Sequence, residues 1–246
     1  MTGAWFVASG CKRRPFANGS TIPRRTVATA IAAAPITART ATGRHQRSLS
    51  VPPSIVIVPY DPRWPQAFDA LASPIAAALG DLALRVDHIG STSVPGLAAK
   101  DIIDVQVTVA DLDDDAITTR LATLGFTQHP TIGGDHVPPG LSAGEADPAR
   151  WRKRYFRAPA GMRPMHLHVR QAGLPNQRYP LLFRDYLRAT PMAAGAYRQI
   201  KEALARLHPD DVDAYYDVKD PACDLIAGAA ELWAIQTGWT VETASR

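Results

Sequence analysis

The stretch VDHIGSTSVPGLAAKDIIDVQVTV, residues 86–109, constrains the fold more than any other part of the chain. Two runs rich in β-branched residues flank a loop of small residues, so the segment reads as strand, turn, strand. Side chains alternate along the second run: Val105, Val107 and Val109 point one way, Asp104, Gln106 and Thr108 the other. One face belongs to a core and the other to the wall of a cleft. The preceding Gly90–Ser91 turn can bring backbone N–H groups close to an anion, and serine adds a hydroxyl. Donors for phosphate beside a carboxylate for Mg²⁺ are the parts of a phosphate-and-metal site. A plain turn and a structurally bonded aspartate are the competing reading, and these residues alone leave both open.

Charge divides the chain in two. Residues 1–50 hold eight basic residues (Lys12, Arg13, Arg14, Arg24, Arg25, Arg39, Arg44 and Arg47) and no acid, whereas the remainder carries 19 basic and 23 acidic residues. The body is mildly acidic, so it has no general nucleic-acid footprint. Residues 1–53 read as a basic N-terminal arm without periodicity: a disordered tail, an organelle transit peptide, or a start placed too far upstream. Residues 54–240 read as one folded domain. No apolar run approaches the roughly 20 residues of a membrane span. The two cysteines, Cys11 and Cys223, stand far apart. Their spacing argues against a disulfide framework and for a reduced, cytoplasmic setting.

Periodicity predicts a short strand at 55–58, a helix over 65–79, strands over 82–89 and 102–109, and a helix over 112–124. Pro and Gly crowd residues 127–149, which predicts a long mobile loop. Strands near 152–158 and 165–171 follow, and then a helical C-terminal third. Its apolar stripes are Tyr179, Leu182, Phe183 and Tyr186, then Tyr197, Ile200, Leu204 and Leu207, then Ile226, Ala229, Ala230 and Trp233. Strands followed by a helical block define an α+β fold, a short mixed sheet backed by helices.

Further site candidates lie on the later elements. His166 and His168 are two apart in one strand, with Arg170 in register, and could hold a metal or a phosphate. In ARWRKRYF, alternation sends Arg152 and Arg154 to one face as candidate anion ligands and Lys153 to the other. Arg184, Asp185 and Arg188 lie opposite the apolar stripe of their helix. Tyr197 and Lys201, one turn apart, could reach a phosphate, and His88 would orient the turn. Asp135, His129 and His136 have no metal-ligand spacing.

The segment DHIGSTSVPGLAAKDIID resembles the GrpB family, also known as UPF0157, and more widely the DNA-polymerase-β-type nucleotidyltransferases. The similarity extends through YDPRWPQAF, DPARWRKRYF, RPMHLHVR, LLFRDYLRATP and Tyr197–Lys201. The family occurs alone and at the C-terminus of some bacterial dephospho-CoA kinases. The resemblance implies a nucleotidyltransferase-like fold binding a nucleotide or CoA-like phosphate ligand, with nucleotidyl transfer or an accessory role beside a separate kinase. It implies Asp104 and Ser91 as catalytic residues and Asp104 as Mg²⁺ ligand. The implied phosphate ligands are His88, Gly90, Ser91, Thr92, Lys100, Arg152, Arg154, His166, His168, Arg170, Arg184, Arg188 and Lys201. Two departures stand against this pattern. The sequence has no G-x-x-x-x-G-K-[ST], so P-loop kinase activity is not expected of it. Gln106 occupies the position where active relatives in the superfamily carry a second carboxylate, and its neutral oxygen is a poor Mg²⁺ ligand.

Overall fold

A computed structural model describes residues 54–242. The expected N-terminal arm, residues 1–53, lies outside the described residues. Among them, α1 spans Trp64–Leu79, β1 Ala83–Ile89, β2 Ile103–Val109, α2 Ala116–Ala122, β3 Thr127–Gln128, β4 Arg154–Arg157 and β5 Met165–Gln171. Three helices complete the chain: α3 Pro175–Ala189, α4 Pro191–Leu207 and α5 Val212–Thr237. The sheet order is β1-β2-β5-β4-β3, with β2 and β5 parallel and the other pairs antiparallel. This is the α+β architecture read from the sequence, with a mixed sheet and a helical C-terminal block.

The alternation along β2 sets the layers. Val105, Val107 and Val109 are buried against Trp64, Ile75 and Leu79 of α1 and Ile117 and Leu121 of α2, with Leu167, Val169 and Phe156 from neighbouring strands. The opposite face carries Asp104, Gln106 and Thr108 in register with His166, His168 and Arg170 of β5. Helices α3 to α5 cover that polar face, so Gln106 and Thr108 are buried as fully as the valines behind them.

Two expectations need correction. Residues 55–58 form no strand beyond one bridge, Val58 to Ala99, because Pro59 removes the next donor. The 127–149 segment is not loosely attached. Lys153 N donates to Gly133 O at 3.0 Å, Asp135 N to Trp151 O at 2.9 Å, and the indole of Trp151 to Glu145 O at 2.8 Å. Among the described residues no helix is long and apolar enough to cross a membrane.

Candidate functional site

Between the polar sheet face and the C-terminal helices lies a cavity of about 330 Å³. Gly90, Ser91, Thr92 and Asp104 line one side of it. Gly90 has φ 71° and ψ −174°, a region that only glycine adopts without strain. A Cβ at this position would lie 2.9 Å from Cγ of Asp104 and closer still to its Oδ2. Turn and carboxylate therefore touch, and both face the same hollow.

The turn is fastened from behind. Ser93 Oγ donates to Gly90 O at 2.5 Å, and Arg188 reaches Ser93 O with Nε at 3.0 Å and Nη2 at 2.8 Å. His88 Nε2 lies 3.0 Å from Thr92 Oγ1, and its ring stacks on Phe68 at 4.8 Å. Burial depresses His88 to about 4, against the pull of Asp104, so the ring is neutral at pH 7.

Asp104 faces His168 Nε2 at 3.9 Å, and His166 stands beside it on β5. Burial pushes the Asp104 carboxyl up, but His168, His166 and His88 outweigh this and hold it below its ordinary value. His168 is itself depressed to about 4 by burial and by Arg170, and its Nδ1 is buried without a hydrogen-bond partner among the described residues. The His166 ring is oriented by the Tyr155 hydroxyl, 2.6 Å from Nδ1.

Gln106 is engaged on both sides. Its Oε1 accepts from Arg170 Nη1 at 2.7 Å and its Nε2 donates to Gln177 O at 2.9 Å. Arg170 in turn grips Asp135 through Nε at 2.8 Å and Nη2 at 2.9 Å, while Lys153 donates to Asp135 Oδ1 at 2.6 Å. Asn176 Nδ2 adds a third contact to Asp135 at 3.1 Å. Burial alone would raise Asp135, but Arg170 and Lys153 keep it ionised far below the usual carboxylate range. Arg170 thus lines the cavity as the partner of an internal acid rather than as an anion ligand.

The remaining walls bring lysines and aromatic rings together. Lys201 is buried with Nζ 2.6 Å from Ala98 O and 4.7 Å above the Tyr197 ring. Burial lowers it to about 7. Lys100 sits 4.6 Å from the Tyr215 ring and 5.0 Å from the Tyr216 ring, and Lys219 lies 4.9 Å from Tyr216. Trp151, Tyr179 and Phe183 form an aromatic side, with Tyr179 and Phe183 stacked at 6.2 Å.

Several expected ligands stand elsewhere. His88 pairs across the sheet with Val105, so it faces the core side. Arg152 and Arg154 point to the α2 side, toward Asp113 and Thr118 respectively; Lys153, on the other side, reaches the cavity layer. Arg184 is fully buried, bonded to Asp185 at 2.7 Å and His88 O at 2.9 Å, and Arg188 is spent on Ser93 O. Both were implied phosphate ligands; instead Arg184 clamps α3 to β1 and Arg188 clamps it to the turn. Gly90, Ser91, Thr92, Lys100, Asp104, His166, Arg170 and Lys201 do line the cavity. Sequence reasoning passed over Asp135, Lys153 and Tyr155, although alternation in ARWRKRYF already puts Lys153 and Tyr155 on one face.

A two-cation centre does not fit these donors. Asp87, in register with Gln106, is buried against Arg85 at 2.7 Å, and Asp185 is held by Arg184 and the Trp239 indole. Among the described residues no three His, Cys, Asp or Glu side chains cluster as metal ligands.

The arrangement is that of an α+β domain with a walled polar cleft against one face of its sheet. The family model described as GrpB protein matches residues 54–228, and the chain belongs to that family. It is 37% identical over 193 residues to a dephospho-CoA kinase of Mycolicibacterium paratuberculosis, covering 74% of this chain and 47% of the kinase. A UPF0157 protein of Halalkalibacterium halodurans is 36% identical over 167 residues, covering 68% of this chain and 77% of that protein. The crystal structure of conserved protein GrpB from Enterococcus faecalis superposes with a TM-score of 0.56 at 33% identity, covering 72% of this chain and 99% of that one. The chain spans about half the length of the dephospho-CoA kinases it matches.

Proposed function

We propose that this protein binds a nucleotide or CoA-like phosphate ligand in the cavity, as a binding module rather than an efficient catalyst. One observation carries the reading: a single hollow joins the bare Gly90–Thr92 turn and Lys100 and Lys201 to the stacked rings of Tyr179 and Phe183. Cations and a close-approach turn suit phosphates, and aromatic faces suit a base. The volume of about 330 Å³ sits at the small end of ligand pockets.

Nucleotidyl transfer through two metal ions finds no support in the donor set, because Gln106 is committed to Arg170 and Gln177. A single Mg²⁺ arriving on the ligand's phosphates is the form of metal binding that one carboxylate, Asp104, can serve. The relation to dephospho-CoA kinases suggests a role beside a separately encoded kinase. The setting we infer is cytoplasmic.

Isothermal titration with ATP, ADP, CoA and dephospho-CoA, each with and without Mg²⁺, tests the reading. At least one should bind, and Asp104→Asn should erase the Mg²⁺ dependence while Mg-free binding persists. Absence of heat with all four ligands would overturn it.

Lys201 gives the cavity a pH signature. With its amine near 7, it is mostly neutral at pH 8 and mostly charged at pH 6. Phosphate affinity should therefore rise as pH falls across this window, by up to about tenfold. Lys201→Met should flatten that slope. An unchanged slope would remove Lys201 from the ligand set.

A further inference from the structure

Helix α5 carries a second feature, independent of the ligand reading. Its outer face presents Val218, Leu225 and Leu232 at seven-residue spacing, with Pro221, Gly228 and Ile235 three residues after each. Val218 is 51% exposed, Leu225 80%, Leu232 63% and Ile235 79%. No Asp, Glu, Lys or Arg stands among these six. Such a seam is the signature of a helix that packs on another helix. Of the acids beside it, Asp224 bonds His136 at 2.8 Å and Glu231 pairs with Arg178, while Asp217 is exposed at the N-terminal end of the seam.

We infer that α5 pairs antiparallel with α5 of a second copy of this chain. The order of large and small residues along the seam is self-complementary. A two-fold axis between residues 226 and 227 sets Leu225 against Gly228, Leu232 against Pro221 and Val218 against Ile235. Leu225 meets a glycine and Leu232 a proline, Val218 meets Ile235 in the outer layers, and every layer repeats by symmetry, as an isologous contact requires. A parallel pair would instead stack Gly228 on Gly228 and leave a hole.

Gly228 supports this independently. It lies inside a helix, where glycine weakens the fold relative to alanine, yet a Cβ there would meet nothing within 4 Å in the monomer. Nothing within the subunit requires a glycine; the facing Leu225 of a second copy does. Scaled by these exposures, the four aliphatics of two copies offer about 550 Å² at on the order of 100 Å² per fully exposed side chain. With Pro221, Gly228 and the adjoining small residues, the seam approaches the roughly 1,000 Å² of a specific contact.

Sedimentation velocity of the full chain from micromolar to near-millimolar concentration tests the inference. A monomer–dimer equilibrium is expected. Leu225→Asp, at an exposed position, should abolish the dimer without altering the circular dichroism spectrum. Gly228→Leu should raise the melting temperature of the subunit but weaken association by at least about tenfold. A mixture of Val218→Cys and Ile235→Cys chains should give a mixed disulfide dimer identified by mass, in excess over either variant alone. A monomer at all concentrations overturns the inference and leaves the seam to a different partner. A dimer indifferent to Leu225→Asp and Gly228→Leu overturns it equally.

Discussion

Replacing Asp135 with alanine should cost this protein about 3–5 kcal/mol of stability, the penalty for removing one member of a buried ionic network. Arg170, buried, and Lys153, nearly so, would be left facing each other beside the cavity without the carboxylate that both contact. Gln106 and Asn176 would lose the order this network gives them, since each bonds to a member of it. The shift in guanidinium midpoint measures the effect. Arg152→Ala, which breaks an exposed pair with Asp113, is the control and should cost under about 1 kcal/mol. The same network fixes an acid response. Because the folded-state value of Asp135 is depressed, its contribution is complete above the ordinary carboxylate range and is lost as pH falls through and below that range. Stability of the wild type should therefore decline on acidification more steeply than that of Asp135→Asn. Parallel decline in both proteins would show that the network adds nothing.

The second large effect belongs to Gly90→Ala. The backbone at φ 71° and ψ −174° costs a residue with a side chain about 1–3 kcal/mol, and the new methyl would collide with the Asp104 carboxylate. The carboxylate cannot withdraw easily, because β2 is an inner strand, paired on both sides. We expect a lowered melting temperature together with loss of phosphate-ligand binding in the titration described above. Ser91→Ala, next in the same turn, should keep the stability and lose only part of the affinity. If Gly90→Ala melts and binds as the wild type does, turn and acid do not form a common site.

How much of this was legible in the sequence differs by element. The meeting of Gly90 with Asp104 could be read because strand alternation and a glycine turn are local properties. The fates of Arg152 and Arg154 could not. Alternation separated them from Lys153 correctly, but only the pairing of β4 with β5 decides which face looks into the cavity. The burial of Arg184 and Asp185 was not legible, because helix periodicity marks the apolar stripe and is silent about a polar side packed on β1. Asp135 was invisible because its partners lie 18, 35 and 41 residues away along the chain. A loop dense in glycine and proline looks mobile until such a charge is seen to pin it. The inner stripe of α5 was legible in part: Ala230 is fully buried and Ile226 and Trp233 half-buried, but Ala229 is exposed. The outer seam shares that helix and acquires meaning only once the inner face is known to be occupied.

Helix α5 runs from Val212 to Thr237 and presents two flanks. Tyr216, Lys219 and Cys223 wall the cavity, while Val218 and Leu225 look outward. A rod cannot roll toward a guest on one flank without moving its opposite flank. If a ligand fills the cavity and a second copy docks on the outer face, the two are linked through α5: whatever factor one adds to the hold of the second, the second returns to the first.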